Sequence, residues 1–162
     1  MKNKEKIRVL FVCMGNICRS PTAEAVFRHH VAAAGLEGRI TADSAGTHDY
    51  HIGKAPDARA QQAALRRGYD MSALRARQVE RLDFEAFDYV LAMDTDNLRL
   101  LNRLCAAEHA GKLLLFTAFS ANFPGQEVPD PYYGGAQGFE RVLDMVEDAA
   151  QGLLRRILET QR

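Results

Sequence analysis

The chain has 162 residues and a mass of 18.0 kDa, a size that suits one domain with a substantial core. Lys plus Arg and Asp plus Glu both number 21, so net charge is zero with neutral His, and bulk electrostatics argue for neither a nucleic-acid nor a membrane partner. No apolar run approaches the ~18 residues of a membrane span, and three cysteines are too few for a disulfide scaffold.

That low, odd cysteine count fits a reducing compartment, and Met1-Lys2-Asn3-Lys4-Glu5-Lys6 leads into a strand rather than an apolar secretory core, so a cytoplasmic protein is expected. Residues 7–12, with Val9-Leu10-Phe11-Val12, are β-branched and aromatic and predict a buried strand. Pro21 opens a helix over residues 21–34, stopped by Gly35. A second strand is expected near residues 39–44. Residues 46–56 hold two glycines, a proline, two histidines and an aspartate and read as loop. Asp57-Ala58-Arg59 start a helix through Arg67, closed by Gly68. Arg75, Arg77 and Arg81 then read as a solvated basic face. Residues 89–93 form a third buried strand, and Asp94 and Thr95 cap a helix running to about Cys105. Residues 113–116 are the fourth strand.

Residues 121–135 contain three prolines and three glycines, a long loop of the kind that is usually functional. In the final helix Phe139, Val142, Leu143, Val146, Ala149, Ala150, Leu153, Leu154, Ile157 and Leu158 repeat at the spacing of one buried face. Strands alternating with helices predict an α/β fold. The expected form is a single domain over residues 1–162, with a four-stranded parallel doubly wound sheet and helices on both faces. Such sheets bind ligands beyond the carboxyl ends of their strands. Cys13 sits at that edge, and so does the long loop if it folds back across the top.

The loop between the first strand and first helix carries the chemistry. Gly15 and Asn16 are the residue types that most readily adopt left-handed angles. Such a loop can turn amides inward, and the helix start adds free N–H groups and partial positive charge, making an anion cradle. Cys13 opens the cradle and Arg19 closes it, with five residues between. Positive potential favours a thiolate, the nucleophilic form, and a planar guanidinium can hold two phosphate oxygens at once. Ser20 can donate to the thiolate, cap the helix, or both. A structural cysteine and a surface arginine are the plain alternatives, and the strand, Gly-Asn, Ser-Pro and helix context argues against them.

Asp130, between Pro129 and Pro131, is either a turn aspartate or a proton donor. Tyr50, Tyr132 and Tyr133 are either half-buried packing residues or aromatic walls for a flat substrate. Cys18 is either a packing residue or a redox-active one, and Cys105 reads as structural. The five histidines show no metal-ligand spacing and read as surface, with His48 and His51 flanking Tyr50. No metal or cofactor is expected.

The run Cys13-Met14-Gly15-Asn16-Ile17-Cys18-Arg19-Ser20-Pro21-Thr22-Ala23-Glu24-Ala25 resembles the signature loop and first helix of the low-molecular-weight protein tyrosine phosphatases. Asp43-Ser44-Ala45-Gly46-Thr47, Ala76-Arg77-Gln78, Phe87-Asp88-Tyr89, Met93-Asp94, Asn97-Leu98 and Asp130-Pro131-Tyr132-Tyr133-Gly134 follow in the family's order. The resemblance implies a metal-free phosphotyrosine phosphatase that works through a cysteinyl phosphate. Cys13 is then the nucleophile, Arg19 the phosphate clamp and Asp130 the general acid. Met14, Gly15, Asn16, Ile17, Cys18 and Ser20 form the substrate loop, and Tyr50, Tyr132 and Tyr133 its aromatic surround. It further implies that Asn16 and Ser44 brace the loop, that Cys18 can bridge to Cys13 on oxidation, and that Leu74 stands where some relatives carry a bracing His. The implied partner is a tyrosine-phosphorylated protein, in bacteria often a tyrosine kinase of polysaccharide export, met by a monomer.

Protein arginine phosphatases of the same fold are the alternative; they tend to carry Thr at the place of Ile17 and lack the paired tyrosines. Arsenate reductases of the superfamily need two further cysteines, and only Cys105 lies outside the loop. A non-catalytic phosphate-binding module would have no use for the thiol.

Overall fold

Seven residues, Ile7–Cys13, form β1, and all but Arg8 are buried. A strand so continuously apolar fits only the middle of a parallel sheet covered on both faces. In the computed structural model, which describes residues 6–161, β1 pairs with β2 (Ile40–Gly46) on one side, from Ile7 against Ile40 to Cys13 against Gly46. On the other side it pairs with β3 (Tyr89–Ala92), which in turn pairs with β4 (Leu113–Leu115). The order is β2-β1-β3-β4, all parallel. The chain leaves β1 for β2 and returns to β3 on the opposite side, so the connections diverge above the carboxyl ends of β1 and β3. That divergence opens a crevice there.

Successive β1 side chains point to opposite faces. Val9, Phe11 and Cys13 join the larger core with α1 (Arg19–Ala33), α2 (Ala58–Arg66) and α5 (Ala136–Thr160). There the Phe11 ring meets Phe27 and Phe116 edge-on, at 5.7 and 4.9 Å between centroids. Leu10 and Val12 join the smaller core with Phe84 of α3 (Arg81–Ala86) and Leu101 of α4 (Thr95–Leu104). Helices thus cover both faces of a single α/β domain.

Several boundaries differ from the sequence reading. α1 begins at Arg19, not Pro21, which puts Arg19 and Ser20 in its first turn and Pro21 where an amide would lack an intrahelical partner anyway. It ends as expected, with Gly35 at φ 71° and its amide on Ala32 O. Phe116 leaves β4 for a 3-10 turn, Phe116–Phe119, and a second one, Ala107–Lys112, precedes β4. α3 was not foreseen, although Glu80 and Asp83 close a reciprocal capping box at its start. Leu158 is exposed and Leu154 half-buried, because the buried stripe of α5 narrows towards its end. His30 is half-buried against Tyr69 rather than on the surface. Burial and then the neighbouring His29 push its pKa below the usual histidine value. The charged N-terminal run read as leading into β1 lies, for residues 1–5, outside the described residues. No helix among the described residues is long and apolar enough to cross a membrane.

α5 meets the 3-10 turn after β4 at a backbone contact. A Cβ on Gly152 would lie 1.7 Å from Phe119 O. In an open helix Gly→Ala gains up to about 1 kcal/mol. Here Gly152→Ala is expected to lose roughly 1–3 kcal/mol through overpacking. The checking measurement is urea unfolding, with the midpoint falling at constant m value; an unchanged or higher midpoint would refute the contact.

Candidate active site

β1 ends at Cys13 and α1 starts at Arg19, so residues 14–18 turn the chain through the crevice mouth. Asn16 makes that turn at φ 58°, the sole left-handed non-glycine among the described residues. β2 passes close by: a Cβ on Gly46 would lie 2.8 Å from Met14 O, while Thr47 N and His48 N donate to Cys13 O and Met14 O.

Beneath the loop runs a set of directed hydrogen bonds. Asn16 Nδ2 donates to Ser20 Oγ at 2.8 Å and to Ser44 Oγ at 2.9 Å, and Asn16 Oδ1 accepts from the Arg77 amide at 3.0 Å. Ser44 Oγ donates to Glu24 Oε1 at 2.7 Å, and the other Glu24 oxygen pairs with Arg28 at 2.8 Å. Burial pushes the Glu24 carboxyl above its usual range, against the pull of Ser44 and Arg28. Ser20 Oγ accepts from Asn16 and lies 3.0 Å from Cys13 Sγ, with Ala45 O a second, longer acceptor for its hydrogen at 3.4 Å. Leu74 packs against the larger core, and the network closes without it through Glu24 and the Arg77 amide.

Arg19 is only 2% exposed. Its Nη1 donates to Asp94 Oδ2 at 2.6 Å and Val128 O at 3.0 Å, and its Nη2 lies 3.7 Å from Asp130 Oδ2. Burial works against the guanidinium charge, but Cys13, Asp94 and Asp130 outweigh it and raise the pKa. Asp94 serves two purposes: Oδ1 caps α4 by accepting from Asn97 N, as the sequence predicts, while Oδ2 holds Arg19. Val128 is anchored by its amide to Met93 O at 2.8 Å, so the long loop does fold across the strand ends.

One pocket of about 240 Å³ gathers Cys13, Met14, Gly15, Ile17, Cys18 and Arg19 with Tyr50, Asp130, Tyr132 and Tyr133. Asn16 and Ser20 are absent from its lining; both are buried below it as braces. His51 joins the lining, its ring over Gly15 and 6.4 Å from those of both Tyr50 and Tyr132. Tyr50 stacks on His48 at 4.9 Å, and Tyr132 meets Tyr133 edge-on at 4.9 Å. The Cys18 thiol is pushed up, chiefly by burial and then by Asp57, Cys13 and Asp130, so it stays protonated. A thiol, a fixed cation, a carboxylate and aromatic walls therefore converge on one concavity, an arrangement suited to an aryl ester of a tetrahedral anion.

Residues 8–162 match the sequence profile described as Low molecular weight phosphotyrosine protein phosphatase. The chain belongs to that family. It is 44% identical over 154 residues to the low molecular weight phosphotyrosine protein phosphatase of Schizosaccharomyces pombe, covering 94% of this chain and 98% of that protein. It is 46% identical over 155 residues to a low molecular weight protein-tyrosine-phosphatase of Streptomyces coelicolor, covering 94% of each. The crystal structure of protein tyrosine phosphatase from Entamoeba histolytica with Hepes in the active site superposes with a TM-score of 0.93 at 41% identity, covering 97% of this chain and 100% of that one. The protein is a protein-tyrosine-phosphatase of this family.

Some residues that build this phosphatase's pocket escaped the sequence reading. Arg77 is not a solvated cation: it donates to Asp83 at 3.0 and 3.1 Å and to Asp43 at 3.2 Å, and its backbone holds Asn16. Glu24 lies within the family motif but gave no local sign of a bracing role. Arg59 and Asp57 looked like an ordinary helix start.

Asn16 combines a left-handed backbone with three side-chain bonds, and two substitutions separate the terms. Asn16→Ala removes the bonds and keeps a Cβ in the left-handed region, whereas Asn16→Gly removes the bonds and also relieves the roughly 1–2 kcal/mol that a Cβ costs there. Asn16→Ala is therefore expected to be less stable than Asn16→Gly by about that margin in denaturant unfolding; equal midpoints would mean the loop relaxes to another conformation.

Proposed function

We propose that this phosphatase hydrolyses phosphotyrosine in proteins through a cysteinyl phosphate formed on Cys13. The observation that carries the reading is the pair at the pocket floor: Cys13 Sγ 3.0 Å from the Ser20 hydroxyl, beside a buried Arg19 already oriented by Asp94. Ser20 donates to the thiolate and keeps it available for attack. The thiolate attacks phosphorus in line, and the amides of the loop and of the α1 start, with Arg19, hold the charge that spreads over the equatorial oxygens. Asp130, 41% exposed at the mouth and 3.7 Å from Arg19, gives its proton to the departing phenol oxygen. As a carboxylate it then takes a proton from the water that hydrolyses the cysteinyl phosphate, which returns free thiolate and phosphate.

Substrate choice follows from depth and walls. Ile17, Tyr50, Tyr132 and His51 line the way down, and a phenyl ring both fills that apolar width and is long enough to bring phosphorus to the sulfur. A guanidinium in phosphoarginine gains less from Ile17. Hepes, found in the active site of the Entamoeba relative, carries a tetrahedral sulfonate that suits such a cradle. Within this reading the enzyme works as a cytoplasmic monomer on tyrosine-phosphorylated proteins, with a tyrosine kinase as one candidate partner.

The reading includes a redox arm. Peroxide converts the Cys13 thiolate to a sulfenic acid, releasing hydroxide; the Cys18 thiol then attacks that sulfur, water leaves, and a disulfide joins the two. Support comes from Cys18 lying in the same pocket as a free thiol.

Cys13→Ser is expected to abolish turnover while vanadate still binds, because the cradle and Arg19 remain. Asp130→Asn should slow aryl phosphates in proportion to leaving-group basicity, by 10²–10⁴-fold for a phenolate of pKa ~10 and far less for a strongly acidic aryl group. Rates across an aryl phosphate series check this, and equal leaving-group slopes for parent and variant would reduce Asp130 to a turn residue. After matched peroxide exposure, a thiol reductant should restore the parent but leave Cys18→Ser largely inactive. Equal recovery would return Cys18 to packing.

A further inference from the structure

Asp130 is held from two sides, and only one of them belongs to the machinery above. Upstream, Val128 fixes the chain through Met93 and Arg19. Downstream, Pro131 is buried beside Gly138 of α5, and the polar hold comes from Arg59. Its Nη2 donates to Tyr132 O at 2.9 Å, and its guanidinium stands over the Tyr132 ring at 5.5 Å and the Phe139 ring at 4.9 Å. The same guanidinium grips Asp57 with two nitrogens, Nε at 3.1 Å to Oδ1 and Nη2 at 2.9 Å to Oδ2. Asp57 in turn donates its amide to Ile17 O at 2.8 Å, within the phosphate loop. Tyr132 N donates to Asp130 Oδ1 at 3.1 Å. A continuous path therefore runs from the cradle at Ile17, through Asp57 and Arg59, to Tyr132, whose carbonyl takes Arg59 and whose amide bonds to Asp130.

The backbone makes that path mechanically effective. Pro129 and Pro131 flank Asp130, and proline fixes its own φ while restricting the residue before it to extended angles. Residues 129–132 therefore have few ways to bend, and clamping the Tyr132 carbonyl restrains the Tyr132 amide that bonds to the Asp130 carboxylate. Beyond Tyr132 the described residues offer no comparable hold: Tyr133 is 94% exposed, and Gly134 N bonds back to Pro131 O within the same turn. A planar fork suits this duty because it serves a carboxylate and a carbonyl while lying flat on aromatic rings.

We propose that Arg59 is a positioning residue for the general acid, joining the phosphate loop to the acid loop through Asp57 and Tyr132. The proposal rests on the reading of Asp130 as the acid. A role in holding Asp130 predicts loss where protonation matters and little loss where it does not. A general contribution of positive charge near the cradle would instead slow every substrate alike and weaken phosphate binding.

The test is a double-mutant cycle on an aryl phosphate series, with inorganic phosphate inhibition measured alongside. Arg59→Met should slow the substrates with the most basic leaving groups about 10-fold, a fraction of the general-acid contribution. It should affect the most acidic ones less than about twofold and leave phosphate inhibition within about twofold. Added to Asp130→Asn, it should produce no further change in leaving-group slope. Arg59→Lys, which retains the stem but offers a compact ammonium in place of the fork, should lie between parent and Arg59→Met. It also carries the test if the methionine variant does not fold. If Asp130→Asn steepens the slope and neither Arg59 variant does, or if the Arg59 effect is equal in both backgrounds, the positioning role is overturned while the acid stands. If Asp130→Asn itself leaves the slope unchanged, the acid reading and this proposal fall together.

Discussion

A guanidinium removed from water is costly unless carboxylates and carbonyls take over its hydration, and Arg19 is nearly fully removed. The partners that make its burial possible come from distant stretches of chain. Asp94 stands at the end of β3, Val128 and Asp130 belong to the loop after β4, and Arg19 itself opens α1 behind β1. Satisfying one charge therefore draws together the ends of two adjacent strands and the long loop. The divergence of connections above β1 and β3 creates the crevice, and the ion pair across it gives the crevice a fixed width. Since Asp94 and Val128 engage Nη1, the guanidinium plane is oriented before any ligand arrives.

The second constraint lies below the loop. Asn16 can hold its left-handed angle because its amide is used at every position: two donors spent on Ser20 and Ser44, the oxygen on the Arg77 amide. Direction matters more than number here. Glu24 at one end accepts the Ser44 hydrogen, and Ser20 accepts from Asn16, which leaves the Ser20 hydrogen to Cys13 Sγ and Ala45 O. The Asn16 amide, donating to both hydroxyls, thus directs one arm of bonds to Glu24 and the other towards the nucleophile, at the cost of burying a carboxylate that Arg28 only partly compensates.

What could be read from the sequence was what lies contiguous in it. The strand, the Gly-Asn turn, the thiol, the guanidinium and the helix start fall within about a dozen residues, and each uses local backbone chemistry. The long apolar stripe of α5 announces itself by period. The residues missed act through partners far away in the chain. Arg77 sits near Arg75 and Arg81 and looked like part of a wet basic face; its partners Asp43 and Asn16 are 34 and 61 residues distant. Arg59 reaches Tyr132 across 73 residues. α3 is six residues long, too short for its period to register, and only its capping box could have betrayed it. Asn16 and Ser20 were grouped with the substrate contacts because sequence proximity cannot separate the lining of a loop from its underside.

The acid loop stands on α5 at both ends. Where it leaves the 3-10 turn, Ser120 Oγ and both nitrogens of Asn122 bond to Asp148, and Phe119 rests on Gly152; where it finishes, Gly135 caps the first turn of the same helix. Its feet are therefore about 12 residues apart on one rod, near 18 Å at 1.5 Å per residue. An arch with a fixed span can change its height without moving its footings. Residues added to or removed from its crown would raise or lower the aromatic rim over the phosphate loop, while the sheet and the cradle beneath stayed as they are. Related chains could then alter how deep a phosphate must reach by length alone, with no change to the chemistry on the floor.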